Sequence, residues 1–425
     1  MPADDSRERL IAAIAFAGYV LALVAGFALH QRATPGPVVD EILHGWLIRR
    51  TLSGAFSLAD VARAQLPMLP GYHFAVGWLA DRFGTDLAVL RRISFALACG
   101  LIPAAIYAAR AQGRDHWVAR ALQVLLIPWL PVMCWLVYSD AASMLAVLLG
   151  YGLWRAGRVW PAGLLLAVAC AVRQNNLVWA LALAAIQWVE AAGWHPRDWR
   201  VALPRELPKL LPFAAPVAVV ATFYALHGSL VIGDPDKHPV GLHPTQVYFL
   251  AVVAVLLYAP DIARDLPRQA GLWIARVRGR RWLVFAGALL ATVFYLATLE
   301  NTHPYNQSLR MTGGYADLDD HLIGWLDANL ATRLAGFAAL WVFAEYWIER
   351  FWRGPRPVQS LGLLAASAVF LLPSWMLSFR YTLLPLAFLA LTAGRPALAD
   401  RATAFWHVLL AVAVAAAFLD GSWFW

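Results

Sequence analysis

From Leu10 to Leu29 the chain carries no charged side chain. That is the length of about 20 residues a helix needs to cross about 30 Å of hydrocarbon at 1.5 Å per residue. Gln31-Arg32 follows without a small-residue cleavage site, so the run reads as a retained first span and not a signal peptide. Comparable apolar runs cover residues 93–109, 117–137, 141–154, 159–172, 177–189, 210–232, 247–259, 282–299, 334–348, 361–377, 381–393 and 404–419, which predicts about thirteen spans. A soluble fold is excluded by composition. Hydrophobic residues make up 61% of the 425 and charged ones 14%, against roughly 25% charged in a soluble domain.

The stretch 68–79 is apolar too, but it is short, opens with Pro70-Gly71 and ends in Asp81-Arg82. It reads as a helix on the membrane surface. Charge supports this choice, because cytoplasmic loops hold the excess of Lys and Arg. With the N-terminus inside, most of the 34 basic residues fall on the cytoplasmic side, including the dense run from Arg264 to Arg281. Counting 68–79 as a span inverts every later loop and puts that run outside. The expected organisation is one transmembrane domain, 1–425, with a long first outer loop at 30–90. Spans such as 159–172 and 381–393 are too short to cross fully, so their ends border a protein-lined cavity.

The net charge of +8 is spread over many short loops and forms no stripe of the kind nucleic acid requires. The cysteines, Cys99, Cys134 and Cys170, all lie in apolar runs and share no paired spacing; disulfides and zinc sites are not expected.

The chemically capable side chains gather on the outer segments. These hold Asp40, Glu41 and His44; Tyr138-Ser139-Asp140; Arg173-Gln174-Asn175-Asn176; Asp234, Lys237, His238 and His243; Glu300 with His303; and Ser378-Phe379-Arg380-Tyr381. Each has a plain reading. Asp40 and Glu41 serve equally as solvated loop acids, and being neighbours, about 100° apart on a helix, they cannot both face one substrate. Ser139 or Asp140 can cap the next helix. Arg173 lies between two short spans, which draws its charge toward membrane depth, where ionisable groups are costly and mark function. His238 and His243 lack the i, i+4 spacing of helical metal ligands, and Arg380 and Lys237 suit an anion such as a phosphate.

In order and spacing, Asp40-Glu41-Ile42-Leu43-His44, Pro70-Gly71-Tyr72, Tyr138-Ser139-Asp140, Arg173-Gln174-Asn175-Asn176 before Trp179, the Gly233-to-Tyr248 stretch with Asp234, Lys237, His238, His243 and Gln246, and Phe379-Arg380-Tyr381 form one series. The series resembles the alpha-1,2-glucosyltransferase family that adds the terminal glucose to the lipid-linked N-glycan precursor from dolichyl-phosphate-glucose. Two departures stand out: Pro235-Asp236 interrupts the family's Gly-Asp-Lys run, and Tyr305-Asn306-Gln307-Ser308 replaces its Asp-Asn-Arg-His segment after His303-Pro304.

The resemblance implies an all-α polytopic membrane fold of the GT-C glycosyltransferase kind. It implies inverting transfer of a hexose, expected to be glucose in alpha-1,2 linkage, from a polyprenyl-phosphate donor to a lipid-linked glycan on the extracytoplasmic side. Asp40 is the expected general base. Glu41, His44, Asp140, Gln174, Asn175, Asp234, His243 and His303 are expected to orient donor or acceptor, and Arg173, Lys237, His238 and Arg380 to bind the lipid phosphate. No cofactor or metal is expected, and membrane lipids are the surroundings. The low lysine content and compact loops point to a bacterial inner membrane; a eukaryotic chain would sit in the endoplasmic reticulum. The competing class is a transporter or lipid flippase, for which acids in span centres are expected and only Glu345 qualifies.

Overall fold

A computed structural model describes residues 3–38, 40–54, 56–57, 60, 68–113, 115–228, 241–303, 306, 318–394 and 396–421. Among the described residues regular structure is helical throughout. The protein is an all-α multi-pass membrane protein.

Five helical stretches are long and apolar enough to cross a bilayer alone: Leu10–Ala33, Leu87–Gln112, Arg197–His227, Arg280–Thr298 and Arg401–Leu419. Thr245–Leu257 and Ala259–Ala275 form a sixth candidate, bent by 93°. Other apolar helices are shorter, among them Val159–Val172 and Pro357–Leu371. The thirteen expected runs therefore do not all become full-length spans. The run 117–137 shows why. It breaks into Trp117–Leu125 and Leu130–Trp135 around Pro128, whose missing N–H and ring stop a helix.

The periphery is apolar and exposed, as a lipid-facing surface must be; along Arg280–Thr298, Leu283, Phe285, Leu289, Leu290 and Phe294 all project outward. The centre is built from short, wholly buried helices. Leu383–Thr392 is buried at every residue, and its ten positions reach only about 15 Å. Ser139–Arg155 packs between Leu101–Gln112 and Val159–Val172. Because these central helices stop short, the turns at their ends lie inside the bundle, and those turns carry the polar residues.

Two helices that follow the first span close over these ends. Gly71–Phe83 is 13 residues long, about 20 Å, too short to cross, and exposes Phe74 and Trp78 one helical turn apart. Glu41–Leu52 likewise exposes Ile42 and Trp46. Such apolar stripes suit helices lying in the membrane interface. Gly71 permits the closest approach: a Cβ there would meet the carbonyl oxygen of Ala171 at 2.5 Å, so only glycine lets this helix start against the end of Val159–Val172, beside Arg173.

The basic run lies on the helix Ala259–Thr298, and its first two arginines are ion-paired. Arg268 binds Asp265 and Glu349, Arg350 binds Asp261, and Arg264 binds Asp400. The backbone leaves helical geometry at Arg280 (φ −143°, ψ 33°), where the following span begins.

Candidate active site

Asp40 stands at the N-cap of Glu41–Leu52 yet makes no capping bond with its side chain. Its carboxylate is thereby free to turn away from the helix, where Oδ2 accepts a hydrogen bond from Arg380 Nη1 at 2.9 Å. The Asp40 side chain is 24% exposed and that of Arg380 10%, so the pair is mostly buried and the carboxylate is its more accessible member. Arg380 belongs to the tight turn Phe379–Thr382 that precedes the buried helix Leu383–Thr392. Tyr381 and Tyr138 flank its guanidinium, with ring centroids 5.3 and 5.9 Å away. Arg380 Nε is buried and has no hydrogen-bond partner. A guanidinium offers five N–H groups in one planar fork. Holding Asp40 with one edge, it retains a buried donor for an anion.

The backbone N–H of Asp40 donates to the Tyr138 hydroxyl at 3.2 Å. Tyr138 ends an extended segment that follows Leu130–Trp135, and being extended, that segment has amides no helix has used. Val137 N donates to Glu41 Oε1 at 2.9 Å. Glu41 Oε2 accepts from Val38 N at 2.9 Å and from Arg91 Nη2 at 2.6 Å. Glu41 is 1% exposed. Its two oxygens are filled by protein donors, so it fastens the loop and does not face a substrate.

His44, one turn beyond Asp40, is also buried. Its Nδ1 lies 2.9 Å from His73 Nε2, with the rings stacked at 5.0 Å. Burial first, then the Arg173 and Arg380 charges, push His44 well below the usual imidazole range; burial and the neighbouring His44 do the same to His73. Both rings are neutral at physiological pH.

Arg173 donates through Nη2 to Asp140 at 2.7 Å and through Nε to Ser139 Oγ at 2.9 Å. Asp140 therefore serves as the counter-ion of Arg173, and part of the cation's donor set is used internally. Gln174 and Asn175 form the tight turn that follows, anchored by Asn176, whose Nδ2 donates to Ser143 Oγ and the Ala169 carbonyl, both at 2.8 Å.

A second cluster adjoins the Arg380 turn. Gln246 exchanges two hydrogen bonds with the backbone of Ser378. Nearby, His243 Nδ1 pairs with Glu300 at 2.9 Å, its ring stacks on Trp375, and buried His303 meets the same indole edge-on. The structure thus gathers Asp40, His44, Asp140, Arg173 and Arg380 around the first loop, and His243 and His303 beside Trp375. Asp234, Lys237 and His238 lie outside the described residues. Among the described residues no three His, Cys, Asp or Glu side chains converge as a metal site would require.

Sequence reasoning missed Arg91, His73 and Trp375. The available signal was the Arg91-Arg92 pair at the start of an apolar run, since a cation near membrane depth is costly unless it has a partner.

The family model described as the DIE2/ALG10 family matches residues 34–197 and 195–308. A Drosophila melanogaster protein is 25% identical over 329 residues, covering 70% of both chains, and a human one is 21% identical over 418 residues, covering 84% of both. A Yarrowia lipolytica relative is 25% identical over 59% of this chain and 53% of its own. All three are named Dol-P-Glc:Glc(2)Man(9)GlcNAc(2)-PP-Dol alpha-1,2-glucosyltransferase. No solved structure matches the chain.

Proposed function

The chain belongs to the DIE2/ALG10 family of glycosyltransferases, and from that premise we propose that it transfers glucose from a polyprenyl-phosphate donor to a hydroxyl of a lipid-linked glycan, in alpha-1,2 linkage and with inversion, on the non-cytoplasmic face of its membrane. The observation that supports this reading is the Asp40–Arg380 pair, a carboxylate and a guanidinium held 2.9 Å apart in a multi-pass membrane protein.

In the reaction Asp40 accepts the proton of the acceptor hydroxyl as that oxygen bonds to the anomeric carbon. The bond from that carbon to the phosphate oxygen breaks on the opposite face. Arg380 steadies the developing charge on the polyprenyl phosphate with the donors it does not spend on Asp40, a charge-assisted contact that strengthens toward the transition state. Its planar fork suits this bridging task better than the point charge of a lysine. The leaving group is a phosphate monoester and a side-chain cation stands ready for it, so the reaction needs no metal; activity persists in excess EDTA on this reading.

The chemistry is the same in an endoplasmic reticulum membrane and in a bacterial inner membrane. The test is reconstitution of the full chain in liposomes with polyprenyl-phosphate-glucose and lipid-linked glycans, with polyprenyl-phosphate-mannose as the control. Glucose appearing on the glycan, with free polyprenyl phosphate as coproduct, is the expected result. Failure of every donor to lose its sugar overturns the reading.

A further inference from the structure

We propose that Arg91 is a positioning residue for Asp40, acting through the loop that carries this carboxylate without touching a reacting atom. The inference rests on the reading of Asp40 as the base and adds to it how the base is held.

The Arg91 side chain is 1% exposed, and all three of its nitrogens are engaged. Nη1 donates to the Thr34 carbonyl at 2.6 Å. Nη2 donates to the Gly36 carbonyl at 2.7 Å and to Glu41 Oε2 at 2.6 Å. Nε donates to both Glu41 oxygens, at 3.0 and 3.2 Å. Thr34 and Gly36 lie just past the end of Ala3–Ala33, and Glu41 is the first residue of Glu41–Leu52. One guanidinium thus holds both ends of the short connection in which Asp40 sits.

Glu41 passes the constraint onward. Its oxygens accept the amides of Val38 and Val137, and the residue after Val137 is Tyr138, whose hydroxyl accepts the amide of Asp40. Asp40 is therefore caught between two fixed points, the Arg91–Glu41 clamp on one side and Tyr138 on the other. A lysine could not reproduce this, because its single nitrogen cannot reach two carbonyls and a carboxylate at three sites. Stability alone does not call for the arrangement. A buried ion pair is often no better for stability than an apolar pair of the same volume, whereas its fixed geometry can impose one arrangement on the chain. The element so fixed here carries the base.

A double-mutant cycle tests this in the full chain reconstituted in liposomes, reading single-turnover transfer beside donor affinity and thermal unfolding. Arg91→Lys should slow transfer by about 10 to 10² fold, the cost of a misplaced reacting group, while donor affinity stays within about twofold. In an Asp40→Asn background the same change should cost almost nothing, because a residue acting through another is silent once that other is removed. Equal losses in both backgrounds, or a parallel loss of donor affinity, would mean a merely structural role and overturn the proposal. So would a normal rate for Arg91→Lys when Asp40→Asn is inactive, which leaves the base assignment standing; an active Asp40→Asn overturns that assignment instead. Where Arg91→Lys yields no folded protein, Glu41→Gln, which keeps the shape and removes the charge, carries the same cycle. If neither accumulates folded, Arg91 is a determinant of the fold and the positioning role is refuted.

Discussion

Asp40 and Arg380 lie 340 positions apart in the chain and 2.9 Å apart in space. Neither is held there by its own helix: Asp40 gives up a capping bond, and Arg380 extends from a turn at the start of a buried helix. The pairing joins the connection before Glu41–Leu52 to the turn before Leu383–Thr392, so each residue is placed by a different part of the fold. Removing either one should then produce a distinct kinetic defect.

Asn in place of Asp40 keeps the shape but cannot take a proton. General-base catalysis contributes about 10² to 10⁴ in rate, so Asp40→Asn should lower turnover by at least about 10² fold with little change in donor affinity. Arg380→Gln removes the cation and should raise the donor KM and lower turnover together, since its phosphate contact begins in the ground state and tightens later. Steady-state kinetics on both variants separates the roles. A pure KM effect for Asp40→Asn would mean that it binds and does not catalyse.

How far the sequence speaks for this site differs from residue to residue. From spacing alone Asp40 could equally be a solvated loop acid; Asp40 and Arg380 stood out through the resemblance their neighbours carry, and the structure brings the two together. Glu41 was harder to read: next to Asp40 it suggested substrate contact, yet its oxygens accept from Arg91, Val38 and Val137, and no local pattern announces a partner 50 positions away. Asp140 was expected to orient substrate and is found paired with Arg173. The fold was legible in its all-α membrane class, whereas the number of full spans was not. Hydropathy registers the run 117–137 as continuous, and only the backbone chemistry of Pro128 divides it.

The His44–His73 pair makes stability depend on pH. Both imidazoles are held neutral by burial, well below the usual value of 6.5. In the unfolded chain they protonate near 6.5, so below that pH the unfolded state binds more protons and acid favours unfolding. Above it the pair contributes no pH dependence. Each histidine should remove up to about 1.4 kcal/mol per pH unit below 6.5. Thermal unfolding in detergent from pH 7.5 to 5.5 should show a falling midpoint, and the slope should flatten in His73→Gln. An unchanged slope would mean that water reaches the pair.

Gly71 offers a test of how closely the surface helix must dock. A Cβ there would stand 2.5 Å from the Ala171 carbonyl oxygen, and relief requires moving either the helix or the turn that carries Arg173. Overpacking of this kind costs about 1 to 3 kcal/mol. Gly71→Ala should lower the unfolding midpoint and turnover together, while Gly54→Ala, on open surface at φ +67°, should lose less stability and keep its turnover.

Topology can be tested at Ser53 and Ala156. The charge bias places the first loop outside and the loop between Ser139–Arg155 and Val159–Val172 inside. Both positions are exposed, unlike Asp60, which is buried and binds Ser57. The native cysteines are partly or wholly buried and can be replaced to give a thiol-free background. In intact cells or sealed right-side-out vesicles, Ser53→Cys should react with a membrane-impermeant maleimide and Ala156→Cys only after permeabilisation. The two results constrain different features. Reaction at both positions before permeabilisation would mean that the helices between them do not separate the two loops across the bilayer. The reverse pattern would invert the chain, moving Asp40 and Arg380 to the cytoplasmic face and with them the side from which donor and acceptor must arrive.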